Sequence, residues 1–128
     1  MLPMDQLLIE RIPGATPDVT ILKLSGPLTL ATLFDFQTVL RDPSLKSTII
    51  DFSQVPYMDS GGLGAVLSHW AHTQRHGARF ALVAMSEKVR VILEMTKVNT
   101  VLPQYPTATD AESAFAGASN SSSAASVK

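Results

Sequence analysis

The residues with the most chemistry to offer lie between Asp51 and Gly64, in the run DFSQVPYMDSGGLG. A β-branched apolar segment ends at Phe52, the chain turns at Pro56, and a helix is predicted to start at about Ser60. Ser60 reads as the N-cap of that helix. Gly61, Gly62 and Gly64 follow in its first turn, although glycine costs about 1 kcal/mol per position against alanine in a helix. Two accounts of the glycines stand side by side. The helix start packs closely on a neighbouring element, or a partner's surface comes close to the backbone around Ser60. A serine hydroxyl in so bare a setting is accessible to a kinase, so the chemistry predicted here is acceptance of a phosphoryl group.

The second constellation is His69, His72 and His76, at i, i+3 and i+7 on the same predicted helix. Read functionally they suggest a metal site. Along the axis, however, His69 and His76 are separated by ~10.5 Å at 1.5 Å per residue. Only an adjacent pair could share an ion. Read structurally, the three form a solvated face, away from the apolar stripe of Leu63, Val66, Leu67 and Trp70. Trp70 is assigned to the core.

Enzyme templates are missing from the sequence. Ser60 follows Met58-Asp59 and so makes no G-x-S-x-G elbow, and no G-K-[ST] follows the glycines as a phosphate-binding loop requires. The carboxylates are scattered. The absence of cysteine excludes thiolate zinc sites, disulfides and cysteine nucleophiles. No enzyme activity, cofactor or metal is predicted.

The elements that must position Ser60 follow from periodicity. Gln6–Ile12 and Val19–Leu24, joined through Pro13, Gly14, Thr16, Pro17 and Asp18, read as a β-hairpin. Leu30–Leu40 reads as an amphipathic helix with Thr29 as N-cap and Leu30, Leu33, Phe34, Val39 and Leu40 as its apolar positions. Thr48–Phe52 and Phe80–Met85 are apolar on both faces, as covered central strands are. Gly77 ends the Ser60 helix, and Ser86 caps another with Val89, Ile92 and Leu93 inward. Val101-Leu102 reads as a short extended piece, and Asp110–Ala116 as a last helix. The order β-β-α-β-α-β-α-(β)-α predicts an α/β fold. Its sheet has four to five mostly parallel strands, an initial hairpin and about four helices. In such a sheet the loops after Leu24 and Phe52 converge on one edge.

The 128 residues suffice for one domain, expected over 1–117. Residues 118–128 hold five serines and three alanines and are expected to form a disordered tail. Ten Lys and Arg against eleven Asp and Glu give a net charge of −1, which argues against a nucleic-acid partner. The longest apolar run is six residues, far short of the ~20 that span a bilayer. With no signal-peptide pattern at the start, a cytoplasmic, soluble protein without membrane insertion is expected.

With these residues in view, the sequence resembles the STAS domains, and within them the bacterial anti-sigma factor antagonists. The likeness rests above all on Tyr57-Met58-Asp59-Ser60-Gly61-Gly62-Leu63-Gly64. Gly26-Pro27-Leu28-Thr29, Ile49-Ile50-Asp51-Phe52-Ser53, Gly77–Val83 and Ser86–Leu93 support it, and together they cover about residues 6–117. The resemblance implies a small α/β domain that binds an anti-sigma factor serine kinase. That partner phosphorylates the serine after the aspartate, here Ser60, and a phosphatase resets the cycle. It also implies a partner surface formed by Asp59, Ser60, Gly61, Gly62, Gly64, Pro27 and Thr29. The chain departs from the family pattern in three places. Gly61 stands where Ser, Thr or Ala is usual, and Pro27 and Thr29 stand where acidic residues are usual. The acidic losses favour a second implication of the same family, a subunit of a lipid or anion transport complex that uses the fold without a phosphoserine switch. The intact Asp59-Ser60 favours the first.

Overall fold

The computed structural model describes residues 6–120, with side chains to Gly117. Strands β1 (Leu8–Pro13) and β2 (Val19–Ser25) form the expected antiparallel hairpin, with Ile9 opposite Leu24 and Ile12 opposite Ile21. Its loop closes through the Gly14 N–H on the Val19 carbonyl. The Glu112 carboxylate, on the last helix, accepts hydrogen bonds from the Ala15 and Thr16 N–H groups. Strands β3 (Ser47–Gln54), β4 (Phe80–Val83) and β5 (Gln104–Tyr105) add in parallel. The spatial order is β1-β2-β3-β4-β5, so each crossover steps over by one strand.

Between the strands run α1 (Leu33–Leu40), α2 (Ser60–Arg75) and α3 (Glu87–Met95), and α4 (Ala108–Asn120) follows β5. The strand pleat divides the core in two. Ile50 and Phe52 of β3, with Phe80 and Leu82 of β4, face Phe36, Leu63, Val66, Val89 and Leu93 of the first three helices. Ile49, Ala81 and Val83 face the opposite way, against Ala111 and Phe115 of α4. A strand covered on both sides must be apolar at successive positions, which is what Ile49-Ile50 and Phe80–Val83 provide.

Several local expectations change. The Leu30–Leu40 helix is two pieces, a 3-10 turn at Leu30–Thr32 capped by Thr29 and then α1. Phe36 is its fully buried residue, while Leu30 and Phe34 face solvent at 73% and 76% exposure. The helix phase set by Leu33, Phe36 and Leu40 carries Phe34 round to the outside. Val101-Leu102 is not extended; a 3-10 turn at Val98–Thr100 precedes it and the strand comes later, at Gln104–Tyr105. Ser86 caps α3 as expected, accepting from the Val89 N–H. Gly77, just past the end of α2, takes φ +69°, a left-handed position that only glycine occupies freely. The proposed tail, 118–128, begins on the last turn of α4, and 121–128 lie outside the described residues.

Candidate functional site

Ser60 sits where two loops at the C-terminal ends of β2 and β3 are stitched together. Leu28 and Met58 pair as a parallel bridge. The Leu28 N–H donates to the Tyr57 carbonyl (3.1 Å) and the Asp59 N–H to the Leu28 carbonyl (3.2 Å). The expected convergence of the two loops is thus a short continuation of the β2–β3 pairing.

Asp59, and not Ser60, is the N-cap of α2. Its Oδ1 accepts from the Gly62 N–H at 2.9 Å and its Oδ2 from the Leu30 N–H at 3.1 Å. A carboxylate has an oxygen for each of two donors, and here the donors belong to the starts of two different elements. Burial raises the Asp59 pKa. The N–H groups of Gly62, Leu30 and Gly61 together outweigh that and hold the carboxyl below its ordinary value, so it is ionised. The loop before α1 is closed in the same way. The Ala31 N–H donates to Thr29 Oγ1, the Thr29 N–H to Thr32 Oγ1, and the Thr32 hydroxyl to the Pro27 carbonyl.

Ser60 is therefore the first residue of α2, and it is exposed. Its side chain is not needed to cap the helix. The positive end of the helix dipole lies behind it, a setting that favours added negative charge.

The three glycines separate into different cases. A Cβ on Gly62 would lie 2.3 Å from the Leu28 carbonyl oxygen, so the loop bridge requires glycine there. At Gly61 the added atom would meet Leu30 Cβ at 3.2 Å, a tight fit. At Gly64 nothing lies within 4 Å, and the position is exposed. Close packing accounts for Gly62 and partly for Gly61, and leaves Gly64 without an internal reason.

Of the residues singled out in the sequence, Ser60 and Gly64 are exposed. Asp59, Gly61 and Thr29 are half-buried, and Pro27 and Gly62 are buried. All seven belong to the two stitched loops and the first turns they launch. Sequence reasoning missed two neighbours, Leu30 and Phe34. Both are exposed, and Leu30 lies against Gly61. Tyr57, 47% exposed, lies on the adjoining loop. The signal for the first two was the helix phase described above.

The histidine face is corrected. His69 is buried, only 6% exposed, with Nε2 2.9 Å from Thr48 Oγ1 and its ring edge-on to Phe80. The buried side of α2 runs through Leu63, Val66, His69 and Thr73. Leu67 and Trp70 pack at its margin and are only half-buried. The hydroxyl of Thr48 allows an imidazole to take a core position. Burial, with the nearby His72 second, pushes the His69 pKa down to about 4. His76 Nδ1 lies 2.9 Å from the His72 carbonyl oxygen. Among the described residues no three His, Asp or Glu side chains are grouped to hold a metal ion.

Comparison with known proteins places this geometry. The STAS domain family model matches residues 10–111. Among solved structures, the chain is similar to Thermotoga maritima TM1081, with 24% identity and a TM-score of 0.75 over 82% of this chain and 92% of that one. It is also similar to an anti-sigma factor antagonist from Mycobacterium paratuberculosis, at 23% identity and a TM-score of 0.71 over 84% and 93%. The murine anion transporter Slc26a9 contains a similar region. There the identity is 23% and the TM-score 0.65, over 79% of this chain and 18% of the transporter. At these identities the likeness is one of fold. The family match, covering most of the chain and including the stitched loops and α2, shows that the chain belongs to the STAS domain family.

Proposed function

We propose that this protein is an anti-sigma factor antagonist. In this reading it binds a kinase-type anti-sigma factor through the surface around Ser60 and is released when that partner phosphorylates Ser60. The observation that carries the proposal is the placement of Ser60: exposed, on the first turn of α2, and relieved of the capping role by Asp59. Leu30 and Tyr57 provide exposed apolar surface on the same edge, and Gly64 leaves the α2 backbone bare. Protein interfaces combine apolar anchors in a buried core with polar groups at a solvent-accessible rim. Pro27 and Gly62 serve from behind by fixing the frame.

In the transfer step Ser60 Oγ forms a bond to the γ-phosphorus of ATP as the bond to the bridging oxygen breaks and ADP leaves. Both Asp59 oxygens are held by backbone N–H groups, and Pro27 and Thr29 offer no carboxylate. The hydroxyl proton therefore passes to a base on the kinase. The product carries about −1.5 to −2 charges at a helix N-terminus, which stabilises the helix. The switch works across the interface, where charge and bulk displace a packed partner. A loss of ~3–4 kcal/mol there weakens binding by two to three decades. A phosphatase restores the binding form.

The test pairs the protein with kinase-type anti-sigma factors of the same cell. Phosphopeptide mapping after incubation with ATP is expected to find Ser60 modified. Calorimetry is expected to find Ser60→Asp binding at least a hundredfold more weakly than wild type. Wild-type affinity in Ser60→Asp, or phosphate on Ser53 or Ser86 with Ser60 unmodified, would overturn the proposal. The reading as a transport-complex subunit would then take its place, in keeping with the likeness to the Slc26a9 region.

A further inference from the structure

Along α2 from Ala65 to Arg75, between about 8 and 22 Å along the helix from Ser60 at 1.5 Å per residue, a cavity of about 790 Å³ opens to the surface. Its walls are the end of α1, the loop from α1 to β3, and the last turns of α2. Arg41, Lys46 and Arg75 all line it and are exposed, and none has an ion-pair partner among the described residues. His72 and His76 line it too, their rings 4.2 Å apart. The one carboxylate in the wall is Asp42, already engaged at 2.7 Å by Arg11 from β1.

The distribution is unusual for a chain with a net charge of −1. Three permanent cations line one concavity whose only acid is paired with an arginine from outside it. Unpaired like charges drawn together repel one another, and a dianion between them would relieve that repulsion. Guanidinium groups offer paired donors matched to phosphate oxygens, a lysine ammonium adds a point charge, and the His72 imidazole can add a nitrogen donor. The volume lies within the range of small-molecule sites, ~300–1,000 Å³. We infer that this cavity binds a small phosphorylated molecule, through Arg41, Lys46 and Arg75 with His72 and His76 beside them. The inference does not depend on Ser60, which does not line the cavity.

The probes are inorganic phosphate, pyrophosphate and glycerol phosphate, titrated at constant ionic strength while backbone amide resonances are followed by NMR. Saturable shifts confined to residues 41–46 and 68–78 are expected for at least one probe. Arg41→Gln and Arg75→Gln are each expected to raise Kd about tenfold, the usual effect of losing a charge-assisted hydrogen bond. Lys88→Gln, on α3 and outside the cavity, should leave Kd unchanged, as should Ser60→Asp. The positions changed are all exposed, and thermal melts verify that each variant is folded. Shifts that fail to saturate, that spread equally over Lys88, Arg90 and Lys97, or that persist unchanged in the Arg41→Gln/Arg75→Gln double variant would overturn the site. Binding to phosphatidic acid vesicles without saturable binding of any soluble probe would also overturn it, by assigning the patch to a lipid surface.

Discussion

The sequence assigns the N-cap of α2 to Ser60, and the structure gives it to Asp59. Both side chains are good N-caps, so spacing alone leaves the cap uncertain by one position. What settles it is the fold, in which the Asp59 carboxylate takes the Gly62 N–H on one oxygen and the Leu30 N–H, from another element, on the other. The consequence can be measured by chemical denaturation. Ser60→Ala should change stability by no more than about 0.5 kcal/mol, the range of ordinary surface substitutions. Asp59→Ala should cost about 1–2 kcal/mol, because it leaves donors unpaired at two element starts. Equal losses in the two variants would return the capping role to Ser60. The exposure of Ser60 at the start of α2 was legible from its glycine-rich setting. His69 was not legible as a core residue, because its acceptability inside depends on Thr48, 21 positions away in sequence.

At the scale of elements, periodicity located the four α-helices and the four longer strands, and its errors on the helix faces share one cause. A helix face is read by assuming one continuous helix and one straight line of burial. The 3-10 turn at Leu30–Thr32 breaks the first assumption before α1. The sheet breaks the second under α2, by turning His69 and Thr73 inward. The start of α2 offers a direct check on why its glycines are there. Gly62→Ala forces a methyl group against the Leu28 carbonyl oxygen and should destabilise by at least about 1–3 kcal/mol, the usual cost of overpacking. Gly64→Ala enters open space in a helix and should stabilise by up to about 1 kcal/mol. If Gly64 is kept bare for a partner, a larger residue there, Gly64→Gln, should weaken partner binding while the melting temperature holds or rises. Unchanged binding would remove Gly64 from the interface.

For the whole molecule, the alternation of strands and helices made the mostly parallel sheet legible, while the strand order β1-β2-β3-β4-β5 and the placing of α4 on the opposite face are products of packing. We expect the segment 121–128, SSSAASVK, to add nothing to stability, since it carries almost no apolar surface. A chain ending at Asn120 should melt within a few degrees of the full one. A sharper test of the global fold is its response to acid. In the folded state burial, and then His72, lowers the His69 pKa to about 4, whereas in the unfolded chain histidine titrates near 6.5. The unfolded state therefore binds a proton that the folded state refuses. Stability from this group is complete above about pH 6.5, declines as pH falls toward 4, and changes no further below that. Its full extent is about 3 kcal/mol. The carboxylates act in a different window. Asp42 is held at about 2 by the Ser44 N–H and then by Arg11, and Asp59 is lowered as well, so their contributions are lost only below about pH 4. Between pH 4 and 6.5 the slope belongs largely to His69. His69→Gln retains a side-chain amide to meet Thr48 but has no proton to gain. Its urea midpoint at pH 7 should fall, because the amide fills the site less well, yet its curve between pH 6.5 and 4 should be markedly flatter than that of wild type. Parallel curves would mean that His69 takes up its proton in the folded state and is not held neutral in the core.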